Sequence, residues 1–221
     1  MEREAFLQRI RAALQTPDLP PAPAAAPGGL VPDLPETDLV ELFLQRVEAV
    51  DAIAHQASDD GDAIRIIARL LAEHGATEYL AWDADSLPIP GLLDELPGRP
   101  AASEVAADPS TRLSHQAEYM DSRVGITGAA AGLAESGSIV LDCGPGRPRM
   151  ASLIPLVHIA LLRSTDISPS LSHWVAQNPT AAADTANLFV ITGPSRTADI
   201  EQILNLGVHG PKHLHVILLP T

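Results

Sequence analysis

A single glutamate, Glu135, stands between two glycine-bearing turns in this chain: Val124-Gly125-Ile126-Thr127-Gly128 lies before it and Ser136-Gly137-Ser138 after it. A carboxylate just ahead of a strand, with the hydroxyls of Thr127, Ser136 and Ser138 available to line one pocket, suits acid–base or nucleophilic work. The same residues also make a plain turn, in which Glu135 ends a helix and Gly137 supplies a positive φ. Further on, Phe189-Val190-Ile191-Thr192 reads as a buried strand running into Gly193-Pro194-Ser195-Arg196-Thr197. A strand feeding such a turn and then a helix is how open α/β proteins build a site at a strand's carboxyl end. Ser195 or Thr197 can cap the helix, and free N–H groups with the Arg196 guanidinium can hold a carboxylate or phosphate. The alternative is capping alone, with Arg196 in solvent and Asp199 and Glu201 favouring the helix dipole.

The histidines gather late, at His209, His213 and His215, with His158 earlier. His209 lies in Gly207-Val208-His209-Gly210-Pro211, where a rigid loop would aim it as a second catalytic candidate. His213 and His215 alternate onto one face of a strand and, with His209, make a candidate metal set. The plainer reading is one loop histidine and two strand-surface histidines. His158 reads as a core histidine, and Cys143 as a small buried hydrophobe. Neither GxGxxG nor GxxxxGK[ST] occurs, so no nucleotide fingerprint is present.

These groups need elements to hold them. Residues 1–16 form an amphipathic helix, with Phe6, Leu7, Ile10 and Leu14 at helical spacing. Residues 17–36 form a Pro/Ala-rich linker with seven prolines between Pro17 and Pro35, able to span about 60 Å if polyproline-like. Residues 37–221 form the compact domain. Asp38 followed by Glu41 starts a helix whose apolar face is Leu39, Phe43, Val47, Val50 and Ala54. A second helix turns Ile64, Ile67, Ala68 and Leu71 inward and stops at Gly75. Strands are expected at 79–82, 124–127, 138–142, 157–162, 188–191 and 214–219. Helical segments are expected at 113–120, 128–134, 150–154, 168–177 and 197–206. This alternation predicts an α/β fold, a mainly parallel sheet with helices on both faces.

Composition narrows the function. Acidic residues number 28 against 14 basic ones, and the net charge of -14 disfavours nucleic-acid or anionic-membrane binding. The only lysine is Lys212 and the only cysteine is Cys143, so the chain alone cannot form a disulfide, a cysteine-ligated zinc site or a Cys₄ iron–sulfur cluster. The N-terminus has no continuous signal-like apolar core and no apolar run reaches spanning length, so the expectation is a soluble, cytoplasmic protein with no membrane span. A homo-oligomer is compatible with all of this.

Five stretches in order resemble the lactate utilisation protein C (LutC/YkgG) family and its LUD domain: Gly125-Ile126-Thr127, Ala134-Glu135-Ser136-Gly137-Ser138, Ser152-Leu153-Ile154-Pro155 with His158, Gly193 to Glu201, and Gly207 to Pro211. Ser136 and Ser138 stand where the family usually has threonine, so the hydroxyls are kept. The resemblance implies a NagB/RpiA/CoA-transferase-like α/β fold. It also implies a role in oxidising L-lactate to pyruvate beside iron–sulfur companion proteins, with no cofactor in this chain. The candidate site comprises Glu135 and His209 as catalytic candidates, and Thr127, Ser136, Gly137, Ser138, Gly193, Ser195, Arg196 and Thr197 as the binding set. Two other readings stand beside the accessory one. One is an independent CoA-transferase-like or isomerase-like enzyme acting on an anionic carboxylate or thioester. The other is a carboxylate-binding regulatory module.

Overall fold

The computed structural model describes residues 3–15, 38–101, 122–198, 204–206 and 210–221. It divides into two units, residues 1–32 and 33–221. The first contributes helix α1 (Arg3–Gln15), which carries an Arg11–Glu4 ion pair and an exposed Phe6.

The second unit opens with α2 (Leu39–Ala49). The Asp38 carboxylate accepts from the Val40 and Glu41 amides, as an N-cap should, and Phe43 and Val47 are fully buried. The helix ends at Val50, so Ala54, expected on its face, belongs instead to strand β1 (Ile53–Gln56). Helix α3 (Asp60–Glu73) follows, with Ala63, Ile67, Leu70 and Leu71 inward and Gly75 at φ +60 just beyond it. Then come β2 (Glu78–Ala81), the short α4 (Leu92–Glu95) and β3 (Arg99–Pro100). The helix expected at 113–120 lies outside the described residues.

The middle of the chain supplies β4 (Val124–Gly128), β5 (Ala131–Leu133), β6 (Ser138–Cys143), α5 (Met150–Leu153) and β7 (Val157–Arg163). After it come β8 (Ile167–Ser168), α6 (Leu171–Gln177), α7 (Ala181–Asp184), β9 (Asn187–Ile191), β10 (Arg196–Ala198), β11 (Leu204–Leu206) and β12 (His213–Leu219). Six strands form one sheet in the order β1-β12-β7-β4-β2-β3, every neighbouring pair parallel. Its central strands are continuous apolar runs, as burial on both faces requires. The α/β class and the parallel sheet are as the sequence predicts.

A second sheet, β8-β5-β6-β9, is mixed, with β6 antiparallel to both β5 and β9. Two expected helices belong to strands instead. The 128–134 segment holds β5, where Gly132 admits the Phe43 ring and Leu162 so closely that a Cβ would overlap them. In the 197–206 segment residues 199–203 lie outside the described residues, and on either side of them β10 and β11 pair antiparallel, Arg196 with Leu206 and Ala198 with Leu204. That ladder takes the backbone groups a helix would have bonded internally.

Candidate functional site

Register builds the site. Gly125, His158 and Leu214 lie side by side across β4, β7 and β12. Gly125 and Thr127 share one face of β4, so Thr127 is on the same side as His158. Its Oγ1 lies 2.8 Å from His158 Nε2. Both residues are fully buried. Gly125 is needed here because a Cβ would overlap the Ala151 carbonyl oxygen of α5. Burial lowers the His158 pKa to about 3, so the ring is neutral near pH 7. Its other nitrogen, Nδ1, is buried and has no hydrogen-bond partner among the described residues, an arrangement native proteins keep uncommon.

His158 lines a cavity of about 230 Å³ whose other walls include Ser152, Gly193, Pro194, Ser195 and Pro211. The Ser195 amide donates to the Pro211 carbonyl at 2.8 Å, fastening the turn after β9 to the segment before β12. Residues from four of the five sequence stretches therefore meet at one buried imidazole. The cavity lies at the carboxyl end of β9, where the sequence places a site, but at the amino ends of β7 and β12, because β9 belongs to the second sheet.

Glu135, Ser136, Gly137, Ser138 and Arg196 go elsewhere, and Gly193 also packs against the end of α2. The Glu135 carboxylate accepts from the Leu171 amide at 3.1 Å, satisfying a free N–H at the start of α6, and Ser170 caps the same helix through the His173 amide. Ser136, Ser138 and Thr192 form a hydroxyl chain with both links at 2.7 Å. Gly137 has φ +68, and a Cβ there would lie 2.5 Å from the Val47 amide nitrogen. Gly193 has φ +71, and its Cβ would overlap the Val50 carbonyl. Arg196 pairs with Asp51 and also donates to the Val50 carbonyl at 3.4 Å. Gly137, Gly193 and Arg196 thus all receive the last turn of α2, where a cation also suits the helix dipole. Thr197 is in β10, and His209 lies outside the described residues.

His213 and His215 do share a face, and there they meet two histidines the sequence analysis did not connect with them. His55 Nε2 is 3.0 Å from His215 Nδ1 with the rings stacked, and His74 packs against both His213 and His215. Burial, then the neighbouring histidines, lower the His215 pKa to about 4. Among the described residues no group of three or more His, Cys, Asp or Glu is arranged to hold a metal. Cys143 is buried, and its thiol pKa is raised by burial and then by Asp142.

A second cavity, of about 250 Å³, does lie at the carboxyl ends of the parallel strands, between Trp82, Gly128 and Arg163. Arg163 is already committed to Asp60 and to the Pro88 carbonyl, and Arg147 on its wall pairs with Asp142.

The Glu135 geometry makes a prediction. Glu135→Gln should keep the fold and cost about 0.5–1 kcal/mol, the usual worth of an exposed carboxylate at a helix start. A urea titration of both proteins checks it, and a loss above about 3 kcal/mol would mean that Glu135 supports more than α6.

A family model of the LUD domain matches residues 40–219. The chain belongs to the LUD domain family. It is 28% identical over 182 residues to a protein of Macrococcus caseolyticus named "Lactate utilization protein C", an alignment covering 80% of this chain and 76% of that protein. It is 29% identical over 185 residues to the uncharacterised protein YkgG of Escherichia coli, covering 80% and 78%. A crystal structure of a DUF162 family protein from Deinococcus radiodurans superposes with a TM-score of 0.59 at 21% identity, covering 84% of this chain and 99% of that one, and shows the same fold. Among the described residues no helix is long and apolar enough to cross a membrane.

Proposed function

We propose that this chain serves lactate utilisation as an accessory subunit, beside companion proteins that carry iron–sulfur clusters and oxidise L-lactate to pyruvate in the cytoplasm. The name of the Macrococcus relative supports the pathway. The observation that favours an accessory role over an independent carboxylate-handling enzyme is the engagement of Glu135 and Arg196. The would-be nucleophile holds the start of α6 and the would-be carboxylate clamp holds the end of α2. The one cysteine in the chain is buried, with its thiolate disfavoured, so cluster ligands must come from other chains.

The test is a tagged pull-down from lactate-grown host cells, followed by the visible spectrum of the eluate and an assay for pyruvate formation from L-lactate. Companions with iron–sulfur absorbance that make pyruvate are expected. A colourless chain recovered alone would refute the reading. Deleting residues 1–36 should lose the companions while leaving the melting transition of residues 37–221 in place, since α1 falls in the separate first unit.

A further inference from the structure

We infer that the His158 cavity takes a small uncharged ligand, with an apolar body and a hydroxyl or carbonyl group for His158 Nδ1, and that it excludes free carboxylates. The inference goes beyond the pathway reading and stands on the cavity alone.

The walls are mainly apolar, from Phe189, Ile191, Pro194, Pro211 and Leu214. The described lining carries no arginine, lysine, aspartate or glutamate. Arg196, one residue beyond the lining turn, faces Asp51 instead. A carboxylate entering this space would leave water and find no counter-charge among the described residues, a transfer that is strongly unfavourable. In the free protein His158 offers no such charge, because burial holds its pKa far below neutral.

The polar groups present suit a neutral partner. Ser152 Oγ already donates to the Arg149 carbonyl at 2.9 Å. His158 Nε2 is taken by Thr127, which leaves Nδ1 fully buried and without a partner among the described residues. A hydroxyl satisfies Nδ1 in either ring tautomer, since it both donates and accepts, whereas a carbonyl serves when Nδ1 carries the proton. The volume of about 230 Å³ exceeds the roughly 150 Å³ that accommodates benzene in a dry protein cavity.

The experiment uses the full chain with ¹⁵N-labelled histidine, following the His158 Nδ1 resonance during titration. L-lactamide and L-lactate make the decisive pair, because they match in shape and differ in charge. Lactamide should move the resonance, and lactate should act at least about tenfold more weakly. Ser195→Leu, which fills the cavity from its half-buried rim, should abolish the lactamide response. Benzyl alcohol against benzoate repeats the comparison on the unaltered chain should that variant fail to fold. A lactate response equal to that of lactamide would overturn the proposal. So would a response surviving in folded Ser195→Leu, or no response to lactamide or benzyl alcohol, which would leave water as the sole partner of Nδ1.

Discussion

Replacing Gly137 by alanine is expected to destabilise the protein by about 3 kcal/mol, far more than the same change at Gly75. Both glycines have positive φ, +68 and +60. Alanine at either position incurs the conformational penalty of about 1 kcal/mol. They differ in what the new methyl meets. At Gly75 there is nothing within 4 Å; at Gly137 it meets the Arg46 and Val47 backbone. Backbone cannot swing aside as a side-chain tip does, so α2 must shift, at the 1–3 kcal/mol typical of overpacking. Urea unfolding of the two variants beside the parent separates the terms. Equal losses at both positions would mean that α2 does not rest on the Glu135–Ser138 turn. The larger loss at Gly137 would assign this turn, on which the family resemblance partly rests, a packing duty. Its hydroxyls would then be positioned by the need to seat α2.

The same contrast explains what was legible in the sequence. Val157-His158-Ile159-Ala160-Leu161-Leu162 and His213 to Leu219 declare themselves as central parallel strands, because burial on both faces demands continuous apolar runs. Gly75 declares a helix end through its backbone freedom alone. Residues 197–206 were ambiguous in kind. Ile200, Ile203, Leu204 and Leu206 recur at helical spacing, yet β10 and β11 are three residues each, and their pairing is a tertiary choice. The second sheet was hidden for the same reason: no local pattern says that Ser138 to Cys143 finds Asn187 to Ile191.

Segments that the sequence singles out do meet in space, while several of their side chains are engaged elsewhere. The Gly193-Pro194-Ser195 and Gly210-Pro211 turns do meet, and Thr127 does reach the site. Glu135 and Arg196 looked chemical because a carboxylate beside glycines and an arginine after a turn are also what helix ends recruit. His158 is in the core, as its sequence context implies; its place beside the cavity is what the sequence does not show. The available signal was a titratable side chain inside an unbroken apolar strand, opposite a glycine: such a group must be buried, and each of its nitrogens must then find a partner or lack one.

That burial carries the second large effect, a steep loss of stability in mild acid that follows His158. In the folded chain His158 binds a proton only near pH 3, against 6.5 for an unperturbed histidine. Well above pH 6.5 neither folded nor unfolded chain is protonated there, so the group adds no pH dependence. As pH falls below 6.5 the unfolded chain takes up a proton the folded chain refuses. Stability then drops by up to about 1.4 kcal/mol per pH unit until the folded form titrates. His215, lowered to about 4, acts in the same direction over a narrower window. Between pH 7.5 and 5.0 the share of His158 alone is about 2 kcal/mol, a sizeable part of a typical domain's stability. The double variant Thr127→Val/His158→Met removes both partners of the buried hydrogen bond and the orphaned Nδ1 together. Such paired replacement leaves no polar group unsatisfied, so its stability at pH 7.5 should stay within about 1 kcal/mol of the parent. Urea titrations at the two pH values should show the parent losing about 2 kcal/mol more than the variant. His215 and its neighbours would account for the acid sensitivity that remains. Equal losses in both proteins would mean that His158 takes up its proton in the folded state, against the low pKa that its burial implies.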